Sequence, residues 1–109
     1  MLNKVTLLGN VGTDPKVGGN DASRNCTFSF ATTEKYTKNN GDVVESTEWH
    51  RIVTFGRLAD FVSRYVTKGK QMYIEGKIHT RSYKDDNNVE HYVTEIIANE
   101  IKLLGKKND

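Results

Sequence analysis

The residues best able to act on another molecule are aromatic and cationic, and they alternate. Within Glu48–Phe55 the positions Trp49, Arg51, Val53 and Phe55 share one parity, and Arg57 follows on the same parity just beyond. In an extended strand, residues two apart lie on one face. His79 and Arg81 share a parity in a second run, and Tyr83 extends that series into the following turn. Tyr36 lies just past a third run, bracketed by Lys35 and Lys38. Rings interleaved with Lys and Arg suit single-stranded nucleic acid. Bases stack on the rings at roughly 1–3 kcal/mol each, whatever the base, while the cations meet phosphates. The opposing reading puts Trp49 and Phe55 in the core and leaves the charges as a solvated face, and parity alone does not choose between the two. For Tyr83, beside Lys84 in a polar stretch, the core reading is weaker.

Catalytic and metal chemistry finds less support. His50, His79 and His91 are scattered and form no H-x-x-x-H or H-E-x-x-H pair, and no G-x-S-x-G or P-loop pattern occurs. The one cysteine, Cys26, shares a face with Phe28 and Phe30, which marks it as a small buried hydrophobe. A single cysteine also excludes an internal disulfide and a cysteine-rich zinc site, and it fits a reducing compartment. Gly9-Asn10-Val11-Gly12 has the spacing of a KH-type backbone clamp, but that clamp needs a helix on each side and a strand precedes it here. It reads as a turn that lets the first strand bend. Asp85-Asp86-Asn87-Asn88 is ordinary turn chemistry. The expectation is no enzyme, no metal and no cofactor.

The elements that must position these side chains follow from periodicity. Strand-like alternation runs through Lys4–Leu8, Asn25–Thr33, Glu48–Phe55, Gln71–Arg81 and Glu90 to about Ala98, with a continuation toward Leu104 left open. Leu58, Phe61, Val62, Tyr65 and Val66 instead fall at helical spacing, and Gly69 after Lys68 suits a helix end. Strand, strand, strand, helix, strand, strand is the element order of the OB-fold, a five-stranded Greek-key barrel with one helix between strands 3 and 4. A single sheet capped by a helix has the same order. The all-β barrel is preferred because a closed sheet buries five strands in a short chain.

A chain of 109 residues makes one domain, expected over 1–105 with a polar end at 106–109. No apolar run approaches the roughly 20 residues that span a bilayer. The opening residues are no signal peptide, since Asn3, Lys4 and Thr6 break the apolar stretch. Sixteen Lys and Arg against 14 Asp and Glu give a net charge of +2, too small to prove or exclude a phosphate-bearing partner.

The order of blocks is more specific. LNKVTLLGNVGTDP, FSFATTE, TEWHRIVTFGRLAD, YVTKGKQMYIEGKIHTRSY and VTEIIA together resemble the bacterial and mitochondrial single-stranded DNA-binding proteins over Leu2 to Gly105. The resemblance implies a homotetramer of OB-folds with ssDNA wrapped outside, serving replication, recombination and repair in the bacterial cytoplasm or, alternatively, the mitochondrial matrix. It implies base stacking on Tyr36, Trp49, Phe55 and Tyr83, with Tyr at two positions that are often Trp in relatives. Phosphate contacts map to Lys4, Arg51, Arg57, Lys68 and Arg81, and a cation frequent in relatives is replaced at His79 and Ser82. His50 matches a histidine near the subunit interface. Relatives usually continue into an acidic tail that recruits other enzymes, and a chain ending in GKKND gives no support for such recruitment. A narrower reading is a dimeric OB-fold accessory of the primosome type, which intact Trp49, Phe55 and Tyr83 disfavour. A small enzyme or a protein-interaction OB module is a third, discouraged by the missing catalytic constellation.

Overall fold

A computed structural model describes residues 1–20 and 23–105; the polar end expected at 106–109 lies outside them. The elements are β1 (Val5–Val11), β2 (Lys16–Gly18), β3 (Asn25–Thr37), β4 (Val43–Phe55), α1 (Gly56–Tyr65), β5 (Gln71–Lys84) and β6 (Glu90–Leu103). The sheet order is β1-β5-β6-β4-β3-β2, and β1 also pairs with β3, which closes a five-stranded barrel. All of its ladders are antiparallel except β4–β6, where Ile52 and Val53 run parallel to Ile96 and Ile97. The expected all-β OB-type barrel with one helix is present. The short β2, which pairs with the start of β3, adds a strand that its three residues are too few to announce by alternation.

The interior follows from alternation. Cys26, Phe28 and Phe30 of β3, Ile52 of β4, Met72 and Ile74 of β5, and Ile96 and Ala98 of β6 point inward and are buried. Thr54 is also fully buried, and its hydroxyl donates to the Cys26 carbonyl at 2.8 Å, so the polar group is satisfied inside the core. The helix closes the barrel with Ala59 and Val62, followed by Val66. Leu58 and Phe61 pack against that core as expected, but Tyr65 does not: it is exposed and lies against Phe61, ring centroids 5.3 Å apart. The buried stripe is centred on Ala59, so the position two turns after Leu58 has rotated out to solvent.

Beyond the barrel, β3–β4 and β5–β6 continue as two hairpin arms whose residues are mostly exposed. They lengthen three strands past the expected ends, so Tyr36 and Tyr83 lie within strands and not in turns. The arms explain a Cα radius of gyration of 16.2 Å, where a compact chain of this length has about 13 Å.

Glycine sets the approach of β1. Where Gly9 would carry a Cβ, the Ala31 carbonyl oxygen sits; at Gly12 the Trp49 ring occupies that place. The G-x-x-G stretch is therefore not the expected turn, since β1 runs through Val11. It is a place where another strand and an indole come against the backbone.

Candidate nucleic-acid interface

Trp49 is 61% exposed, Phe55 51%, Tyr36 51% and Tyr83 46%, so none of the four rings belongs to the core. The register places three of them together. Thr27, Ser29 and Ala31 of β3 pair with Val53, Arg51 and Trp49 of β4, and this outward face continues to Phe55. Arg51 lies beside Glu95 by continuation of the parallel register, and the outward face of β5 carries His79, Arg81 and Tyr83. A hollow on this face is floored by Val53 and Ile97 and flanked by Arg51, Phe55, His79 and Arg81. Val53 is only 6% exposed although it points outward, because these neighbours cover it.

Tyr36 stands apart. The β3–β4 ladder is unbroken from Asn25↔Phe55 to Thr37↔Val43, so Tyr36 shares the parity of Phe30 and Thr32 and lies on the face opposite Trp49. His50 belongs to that opposite face too, half-buried, with Nε2 2.8 Å from the Thr32 hydroxyl.

Local contacts fix two of the rings. Trp49 lies over Gly12, whose N–H donates to the Ser29 carbonyl at 2.8 Å, while Ser29 N–H donates to the Thr13 hydroxyl at 3.1 Å. A hollow of about 490 Å³ opens beside the indole, lined by Thr13, Lys16, Ser29 and Arg51 among others. Tyr83 stacks on His91 with centroids 5.3 Å apart, and His91 Nε2 meets Asp85 Oδ2 at 2.7 Å. That contact, with the backbone N–H groups of Val89 and Asn87, holds the Asp85 carboxyl below its ordinary range.

The cations differ in their surroundings. Arg51 Nε and Arg81 Nε both donate to Glu95, at 3.2 and 3.1 Å. Lys4 pairs with Glu75 at 2.8 Å, which raises the ammonium above its usual value and lowers the carboxyl, so its charge is locally matched. Arg57 is exposed on the first turn of α1, beside Asp60, Phe61 and Arg64. Lys68 is exposed in the turn after α1, its N–H donating to Asp14 Oδ1 at 2.9 Å. Neither lies in the hollow flanked by Arg51 and Arg81.

Two contributors went unnoticed in the sequence. Glu95 is legible as the one charged position in the Val93-Glu95-Ile97 parity, a carboxylate where the pattern asks for an apolar residue. Gly12 had no such signal, because its partner Trp49 is 37 positions away and touches it only across strands.

Cys26 is fully buried and burial raises its thiol pKa, the ordinary behaviour of a core cysteine. Among the described residues, no group of three or more His, Cys, Asp or Glu is placed to hold a metal ion, and no helix is long and apolar enough to cross a membrane.

Comparison with known proteins gives concordant results. The model of the Single-strand binding protein family matches residues 2–104. A single-stranded DNA-binding protein of Bacteroides thetaiotaomicron is 49% identical over 109 residues, covering 97% of this chain and 68% of its own. Single-stranded DNA-binding protein 1 of Xylella fastidiosa is 44% identical over 110 residues, covering 99% of this chain and 81% of its own. Among solved structures, a Plasmodium falciparum SSB complex with ssDNA superposes with a TM-score of 0.85 at 31% identity, over 96% of each chain. A deletion mutant of the single-stranded DNA binding protein from Thermus aquaticus reaches 0.81 at 23% identity, covering 95% of this chain and 51% of that one, a likeness of fold alone.

Proposed function

The chain belongs to the single-strand binding protein family, and from that membership we propose that it binds single-stranded DNA without sequence preference. The observation that carries the reading is the outward face on which the exposed rings of Trp49, Phe55 and Tyr83 alternate with Arg51 and Arg81. Rings offer every base a stacking surface, and guanidinium groups between them meet the phosphates that pass from base to base. Arg57 and Lys68 extend the cationic track over the helix and the turn after it. Lys4, tied to Glu75, contributes least. Tyr36 serves a strand that crosses to the other side of the β3–β4 arm.

The role is to coat and extend exposed strands during replication, recombination and repair. Ordering the strand costs entropy, which stacking and counterion release offset. A homotetramer fits the shape: two arms that bury little of themselves gain surface contacts from neighbouring copies, and symmetric closure joins short tracks into a long one. The named relatives favour this reading over the primosome-type accessory, and they favour the bacterial cytoplasm as its place.

Titration with oligothymidylate, followed by tryptophan emission, tests the reading. Strong quenching that saturates is expected. Emission that stays constant while a gel shift shows binding would remove Trp49 from the contact surface, and absence of any binding would overturn the function.

A further inference from the structure

Glu95 is a carboxylate in an unusual place. It projects to the outer face of β6, the face proposed to meet an anionic strand, yet it is only 6% exposed. Its neighbours two positions either side, Val93 and Ile97, are half-buried apolar residues, and Val53 of β4 lies buried beside Ile97. Each of its oxygens takes one arginine: Oε2 accepts from Arg51 Nε of β4 at 3.2 Å, and Oε1 from Arg81 Nε of β5 at 3.1 Å. Strand β6 runs between those two strands, so one side chain spans the width of three.

An ion group built on a buried carboxylate is a poor source of stability. Desolvating the Glu95 carboxylate offsets much of its attraction to two half-exposed arginines, and an apolar residue of similar volume often serves as well. On charge alone the acid is also unfavourable next to phosphates, since it reduces the local charge from +2 to +1. What it does supply is geometry. A guanidinium has five N–H donors in a rigid plane. Holding Nε on Glu95 leaves the Nη edge of each arginine, nearly half of whose side chain is exposed, for a ligand. It also keeps the two groups no farther apart than one carboxylate and two hydrogen bonds allow. Long side chains fixed before binding lose less entropy on binding.

We infer that Glu95 is a positioning residue for single-stranded DNA, holding Arg51 and Arg81 as a paired phosphate clamp. The inference rests on the proposed binding function and adds a component to it. Its signature is a change of sign. Glu95→Gln raises the net charge by one, so simple electrostatics makes the variant bind more tightly. A carboxamide has one acceptor oxygen and an NH2 that repels an arginine donor, so one arginine is released and the clamp opens. Affinity for oligothymidylate should fall roughly tenfold, the loss of one well-aligned charged hydrogen bond, with no steepening of the salt dependence. Tighter binding with a steeper slope, or unchanged affinity, would overturn the inference.

Should Glu95→Gln fail to fold, as judged by circular dichroism, the arginines give the same answer. Arg51→Lys and Arg81→Lys keep the charge but lose the rigid fork, because one ammonium cannot hold Glu95 and present a planar edge. Each should lose affinity at an unchanged salt slope, and the double variant should lose less than the two losses combined, since both act through one carboxylate. Lysine variants that retain full affinity, or losses that simply add, would refute the clamp. Wild-type chain that fails to bind oligothymidylate overturns the binding function itself, and the clamp with it; normal wild-type binding with indifferent variants overturns the clamp alone.

Discussion

Trp49 is the only tryptophan in the chain, so its emission reports on one place. Its ring stands on the backbone at Gly12 and is 61% exposed, a platform with a fixed underside and an open top. Trp49→Ala should weaken binding to oligothymidylate by about 1–3 kcal/mol, the worth of one stacked base, measured by competition because the fluorophore is lost. Gly12→Ala addresses the underside. A Cβ there overlaps the far edge of the indole and the Ser29 hydroxyl, and side chains move more readily than backbone. The variant should stay folded, while its tryptophan emission shifts and quenching by DNA declines. An unaltered emission maximum would show that Gly12 does not set the ring. The face of Trp49 was readable from parity once a strand was assumed. Its exposure was not, since an outward Trp and an outward Val53 have the same parity and only one is covered.

At the scale of elements, β6 shows why its end was unreadable. Glu75 pairs with Glu100 but Gly76 pairs with Ala98, so Asn99 is left unmatched as a bulge. Ile96 and Ala98 face inward before it, Ile101 and Leu103 after it. The alternation changes phase at one residue, and a period-2 reading stops there. The arms were unreadable for another cause. Both faces of β3 beyond Thr33 and of β5 beyond Arg81 are exposed, so hydrophobic alternation vanishes while the hydrogen-bonded ladder continues. At the tip of the β5–β6 arm, Asp85 accepts from Asn87 N–H and Val89 N–H and contacts His91. Its carboxyl is held below the ordinary value of 3.8, chiefly by the His91 contact. A depressed carboxyl stabilises the folded turn above the unfolded value and ceases to do so as pH falls through the folded one. The Asp85-dependent movement of the Val89 amide resonance should therefore come in acid below the ordinary carboxylate range. Asp85→Asn should abolish that acid transition, and a transition that persists in the variant would contradict it.

Two arms standing away from a small barrel set the properties of the whole molecule. One barrel offers a short track, and several tracks in fixed relation raise the effective concentration of each for a long strand. His50 lies opposite Trp49, half-buried and held by Thr32, so it can meet a second copy without touching the stacking face. His50→Glu should shift the proposed tetramer toward monomer in light scattering across a dilution series. Affinity for long ssDNA should then fall far more than affinity for a very short oligonucleotide. A wild-type chain that runs as a monomer at micromolar concentration would refute the tetramer, whatever the variant does.

The sequence by itself determined the order of the long strands and the helix, the shared face of Cys26, Phe28 and Phe30, and the shared face of Trp49, Arg51 and Phe55, because these depend on local periodicity that burial on one side imposes. Tertiary structure alone decided three things: that Tyr36 faces away from Trp49, that Gly12 supports the indole, and that Arg51 and Arg81 meet on Glu95. Each depends on how one strand registers against another: the first on the β3–β4 ladder continuing unbroken past the barrel, the other two on approaches between non-consecutive strands that barrel closure makes, and none on any one strand's own pattern.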